Sequence, residues 1–202
     1  MHPRRFAAGL AIVLAMTLAP MFRSAQADED AGGFITHIGD QTLVLLHAQN
    51  RPDSERKQQF EQLADQAFDV PKIARYVLGR YWLAANDDDR QQFAKAFERY
   101  MVQVYWRRFN DYTGATFKVL NQKDDGNGTI VVTTEVTRSS DQQPAKVEWS
   151  VARQGDGYKI ADVSIEGISQ ALTYRQEFSS IIERNSGRVS ALTAELRQKT
   201  NG

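Results

Sequence analysis

The 202-residue sequence has no cysteine, only five prolines and three histidines, and no charge of one sign in excess, with 25 basic residues against 25 acidic ones. Each shortage removes a class of explanation. Without cysteine there is no disulfide framework, no thiol nucleophile and no thiolate metal site, so the fold must rest on its hydrophobic core. Beyond residue 27 the only histidines are His37 and His47. They lie ten positions apart on one predicted helix and point about 80° away from each other, a poor arrangement for a shared metal. No metal and no cofactor are expected. The balanced charge lacks the basic excess that nucleic acid requires, and no glycine-rich phosphate loop of the G-x-G-x-x-G or P-loop kind occurs.

Long apolar runs are also scarce; the clearest stands at the start. Arg4 and Arg5, an apolar stretch from Phe6 to Leu18, Pro20 and then Ala25-Gln26-Ala27 have the three parts of a secretory signal peptide, with cleavage expected after Ala27. The stretch is shorter than the roughly 20 residues of a spanning helix. The arginine pair suits an ordinary signal peptide and also the twin-arginine route. Lacking a cysteine, the cleavage site cannot be a lipoprotein site. The expected product is a soluble exported protein of residues 28–202, one domain, with 22 basic against 25 acidic residues.

That remainder divides into a helical half, a strand half and a helical tail. Ile35, Ile38, Leu43, Leu45 and Leu46 predict a helix from Phe34 to about Ala48, closed at Asn50-Arg51-Pro52. Asp53-Ser54 opens a second helix, with Phe60, Leu63, Ala64 and Ala67 at helical spacing, and Asp69-Val70-Pro71 opens a third, running to Gly79. Asn86-Asp87-Asp88-Asp89 resembles a metal cluster but reads better as a cap with acidic first-turn residues, opening a long helix from about Asp88 to Phe109. Between Phe93 and Tyr112 stand seven of the chain's 20 aromatic residues. Strands are predicted over Thr116–Leu120, Thr129–Thr137, Lys146–Arg153 and Tyr158–Ile165. Their short turns imply an antiparallel meander with one buried face. Helices over such a sheet make an α+β domain. Aromatic helices over an apolar sheet face can close into a solid core or leave a cavity, and periodicity does not separate the two.

One stretch invites a catalytic reading. Gly167-Ile168-Ser169-Gln170-Ala171 is one residue short of the G-x-S-x-G nucleophile elbow and lies between a strand and a helix. The elbow needs a histidine after its serine, and none follows Ser169. An antiparallel meander is also the wrong sheet for it. The plainer reading makes Gly167 a corner and Ser169 a helix cap; a secreted serine hydrolase using Ser169 stays as an alternative of a different class, and no enzyme activity is expected.

Two separated motifs carry a family likeness. Phe68-Asp69-Val70-Pro71-Lys72-Ile73-Ala74-Arg75-Tyr76-Val77-Leu78-Gly79-Arg80-Tyr81-Trp82 is followed by the aromatic helix ending Tyr105-Trp106-Arg107-Arg108-Phe109, and later by Asp162, Val163, Glu166, Gly167, Ile168, Ser169, Arg175 and Phe178. In this order they resemble the toluene-tolerance family, the periplasmic phospholipid-binding component of the Mla (maintenance of lipid asymmetry) transport system. Gln170 departs from it, since an apolar residue often follows Gly-Ile-Ser there.

The resemblance implies an α+β domain whose helices, packed over a twisted four- to five-stranded antiparallel sheet, enclose an apolar pocket for acyl chains. It also implies a periplasmic carrier, expected to be a monomer, that shuttles phospholipid between an inner-membrane ABC transporter complex and an outer-membrane lipoprotein complex. A close branch accompanies hopanoid synthesis, so a hopanoid or related isoprenoid is the alternative cargo. At about 0.8 kcal/mol per methylene, a sixteen-carbon chain costs on the order of 12 kcal/mol to carry bare through water; a carrier must replace nearly all of that burial. Expected pocket residues are Phe97, Met101, Val104 and Tyr105 on the long helix and Val147, Trp149 and Val151 on the facing strand, followed by Val77, Leu78 and Ile168.

Overall fold

The computed structural model describes residues 30–140 and 143–201; the expected signal peptide lies outside the described residues. The first helix, α1 (Ala31–His47), begins earlier than its apolar spacing predicts. The Asp30 carboxylate accepts from Gly33 N at 2.7 Å, and Gln122, far along the chain, accepts from Gly32 N at 2.8 Å while donating to Asp30 at 2.9 Å. Two glycines in a first turn are thus tolerated because the Asp30 cap satisfies one backbone N–H and a distant strand the other. Next come α2 (Asp53–Ala67) and α3 (Val70–Leu78), the latter capped by Asp69. Gly79, at φ +53, stops α3 and is followed by a short α4 (Arg80–Ala84) that the sequence reading did not anticipate.

Asn86 caps α5 (Asp87–Arg107) by accepting from Asp89 N at 2.8 Å, with three aspartates in the first turn, so that acidic run is a helix start. The helix was expected to reach Phe109. It ends two residues sooner, and a 3-10 turn (Phe109–Tyr112) swings the Phe109 ring inward against Phe60 at 5.0 Å and Trp106 at 5.1 Å.

Five strands in sequence order, all antiparallel, form the sheet: β1 (Thr116–Asp124), β2 (Thr129–Thr137), β3 (Ala145–Gln154), β4 (Gly157–Ile165) and a two-residue β5 (Ile168–Ser169). β1 outruns its expected end at Leu120 because a register irregularity between Val119 and Asn121 breaks the alternation there. Beyond it β1 is polar and solvent-facing, so no periodicity marks it. Glu166 and Gly167, with φ of 49° and 78°, turn β4 into β5 with the left-handed backbone that a tight hairpin requires. Then α6 (Gln170–Arg184) and α7 (Val189–Asn201) complete the chain.

Among the described residues, buried side chains form three clusters. One joins α3, α5, α6 and α7 around Phe93, Phe97, Phe178 and Leu192. A second joins α1 to the sheet around Ile35, Val132, Val151 and Ile160. The third, Leu45, Leu46 and Phe109 with Phe60 and Trp106, closes the far end of α1. α2 is clamped at both ends. Near its start the buried Arg56 guanidinium lies over the Trp106 ring (5.6 Å) and donates to Asn110 at 2.8 Å. At its end Lys159 donates to the last carbonyls, those of Asp65 and Gln66, at 2.9 and 2.7 Å. Between the clamps, Phe60, Leu63 and Ala64 are only partly buried.

Candidate functional site: an apolar cavity between three cores

The three clusters do not merge because the space between them is open. A cavity of about 920 Å³ runs between them, and each contributes wall residues: Phe97 and Ala171 from the first, Ile35 and Ala67 from the second, Leu46 and Phe109 from the third. The unpacked apolar side of α2 faces this space, which explains why a strongly polar helix carries Phe60, Leu63 and Ala64 in a row at helical spacing. Opposite lie the sheet residues Phe117, Val136, Val147, Trp149, Val163 and Ile165. The register places them on one face, with Val147 across from Thr134 and Ile165, and Trp149 across from Val132 and Val163.

The polar groups in or behind this wall are mostly satisfied internally. Thr134, fully buried, accepts from Trp149 Nε1 at 3.0 Å and donates to the Val147 carbonyl at 3.2 Å, which fixes the indole in its place. The Asp162 carboxylate accepts from the Ser169 hydroxyl at 2.5 Å and from the backbone N–H groups of Val163 and Ala171 at 2.8 and 2.9 Å. Ser169 in turn accepts from Leu172 N at 3.0 Å and so caps α6. Its hydroxyl proton is committed to Asp162, and both histidines beyond residue 27 sit exposed on α1. The carboxylate that faces the serine is itself held by two backbone donors and no histidine adjoins it among the described residues, so the constellation is a corner and a cap.

Tyr105 and Tyr174 bring phenol groups to the wall from α5 and α6. Burial raises the pKa of both above the ordinary value. At Tyr174 the charges that Tyr105, Tyr100 and Glu177 carry when ionised add to the rise, and at Tyr105 those of Asp162 and Tyr112 do so. Tyr112, with the Arg138 guanidinium 5.7 Å from its ring centre, lines the cavity nearby. Among the described residues no group of histidine, aspartate and glutamate is placed to hold a metal, and no helix is long and apolar enough to cross a membrane.

Of the residues expected at a pocket, Phe97, Met101, Tyr105, Val147 and Trp149 line the cavity. The other five do not. Val104 is one helical step away from the wall and faces α7, in a shallow groove with Tyr100, Arg107 and Lys199. Val77 and Leu78 are fully buried in the α3–α6 packing, and Val151 is fully buried where the sheet closes against α1. Ile168, 62% exposed on β5, points outward. The sequence reading missed the contributions of α1 and α2. The isolated apolar triplet on polar α2 was the signal that could have found them.

Residues 37–198 match the family model described as MlaC protein. Among solved structures, a phospholipid-binding protein from Ralstonia solanacearum, determined in complex with a phospholipid, is similar in fold: TM-score 0.74 at 21% identity, over 85% of this chain and 97% of that one.

Proposed function

The chain belongs to the MlaC family, and from that premise we propose that it is a carrier of diacyl phospholipid without catalytic activity. The observation that carries the reading is the 920 Å³ apolar cavity lying between three separate cores. A well-packed domain leaves few voids larger than a water molecule. Taking a methylene to be about as large as a water in bulk, roughly 30 Å³, the volume matches on the order of 30 methylenes, or two long acyl chains. The phospholipid in the Ralstonia solanacearum relative supports the same cargo.

The rest of the proposal follows the family. Residues 1–27 act as a signal peptide and residues 28–202 form one lipid-binding domain, a monomer in the periplasm. It receives phospholipid from one membrane's complex and delivers it to the other's, the inner-membrane ABC transporter complex and the outer-membrane lipoprotein complex being its partners. Delivery requires only differential affinity between closed and partner-bound states, since a cavity that held its lipid far more tightly than a bilayer does would never release it.

The test is lipid capture. Protein purified from its host is extracted with organic solvent and analysed by mass spectrometry, and delipidated protein is mixed with vesicles containing labelled phosphatidylglycerol. Co-purifying phospholipid and uptake of the label are expected. Absence of both would overturn the proposal, and a hopanoid in the extract in place of phospholipid would transfer it to the isoprenoid cargo.

A further inference from the structure

The cavity has a direction. Ile35, Ile38, Gly39, Thr42, Leu43 and Leu46 line it along one face of α1, and between the first and the last of them a helix rises by about 16 Å. Past Leu46 lies an open rim. There Gln49 donates to the Thr113 hydroxyl at 3.4 Å, and the wall residues Tyr112 and Thr116, with Ile165 at the same end of the sheet, are exposed.

The other end is closed. α1 starts there against Gln122 in the outer part of β1, and α2 ends there, with Asp69 N donating to the Ile160 carbonyl at 2.9 Å. Ile35 and Ala67 are fully buried wall residues, and behind them Val132, Val151 and Ile160, also fully buried, fill the space between α1 and the sheet. Along the flank, α2 and α5 set Glu61, Asp65, Glu98 and Arg99 into the wall, and these offer hydrocarbon only charge and water.

The slot is about as deep as one leaflet of a bilayer. Half of a hydrocarbon core of about 30 Å is about 15 Å, and the cavity volume shared between two chains gives each on the order of 15 methylenes. A methylene that moves from bilayer to slot exchanges one apolar surrounding for another, so length up to that limit leaves affinity relative to the membrane unchanged. The first methylene beyond it meets Ile35, Ala67 or water, and forgoes burial worth about fourfold in Kd.

We infer that Ile35 and Ala67 set the longest acyl chain the cavity takes, so that the protein loads chains up to about sixteen carbons alike and rejects longer ones steeply. The inference rests on the carrier reading above and narrows its substrate class by length.

In the experiment, delipidated protein is loaded from vesicles that mix, in equal amounts, phosphatidylglycerols differing only in acyl length, on both sides of that limit. Mass spectrometry of the re-isolated protein gives loading against length. The wild-type profile should be flat and then fall about fourfold for each further methylene. Ala67→Leu adds three carbons at the closed end and Ile35→Ala removes three, so the break should move on the order of one to two carbons shorter and longer, respectively. Because the two changes push in opposite directions, either one decides where the other does not fold. A purely structural role would lower loading at every length and leave the break in place, and that outcome overturns the inference. So does a wild-type profile without a break, and in both cases the carrier reading stands. A protein that loads none of these lipids overturns the carrier reading, and this inference with it.

Discussion

Gly39 offers a prediction in which two opposed effects of similar size can be weighed. It lies inside α1, buried, and a Cβ built on it would stand 2.6 Å from Cδ1 and Cε1 of Phe117 and 3.1 Å from Cγ. Replacing glycine by alanine within a helix ordinarily stabilises by about 1 kcal/mol. Here the ring must first retreat by about 1 Å to restore a normal carbon–carbon separation of 3.5 to 4.0 Å. Overpacking of this kind costs about 1–3 kcal/mol. The movement also disturbs the edge-to-face contact of Phe117 with Trp149 at 6.4 Å, a further fraction of about 0.5–1.5 kcal/mol. The costs exceed the helix gain, so Gly39→Ala should destabilise the chain by about 1–3 kcal/mol, lowering Tm by roughly 2–10 °C for a domain of this size.

The direction of the retreat matters as much as its cost. Phe117 lines the cavity, so the space open to its ring is space that cargo would occupy. Thermal unfolding followed by near-ultraviolet circular dichroism, with and without added phosphatidylglycerol, tests both parts. The lipid-free Tm should fall, and the rise in Tm on adding lipid should be smaller than in the wild type, because a ring in the cavity weakens binding and linkage follows affinity. A Tm raised by Gly39→Ala would refute the reasoning, since it would mean that α1 and the Phe117 ring are not in contact and that helix propensity alone decides.

Two further expectations come from the polar groups. Ser169→Ala removes the α6 cap and one of the three donors to Asp162, and should lower stability by about 2–3 kcal/mol in urea titrations without altering ester cleavage; loss of an ester-cleaving activity that the wild type possesses would make Ser169 a nucleophile instead. The pKa values of Tyr100, Tyr105 and Tyr174 are all raised from 10.0, burial being the largest cause for each. Below that value both folded and unfolded chains keep these protons; above it the unfolded chain releases them first, so stability should be complete below about pH 10 and decline as pH rises further. Tm measured between about pH 8 and 11 should show the decline, and Tyr174→Phe should make it shallower; a flat profile would contradict the burial of these phenols.

Much of the fold was legible because short-range physics dictates it. β2 alternates Ile130, Val132, Thr134 and Val136 toward one face, and Asn86 with its aspartates can only begin a helix. Where the reading fell short, a distant partner decided. Gln122 extends α1 backward to Ala31, and the irregularity at Leu120 hides the second half of β1. Among site residues, Met101 and Val104 are equally apolar and three positions apart; α7, packed against α5, claims the face of Val104 and leaves Met101 to the cavity.

The amino-acid sequence by itself determined most of the elements, their apolar faces, the corner and cap at Gly167 and Ser169, and that no cysteine occurs and no histidine follows Ser169. Only the tertiary structure decided that three cores stay apart around a cavity. The reason is that periodicity records which side of a helix or strand avoids water, and that side looks the same whether protein atoms or a lipid's acyl chains are to lie against it.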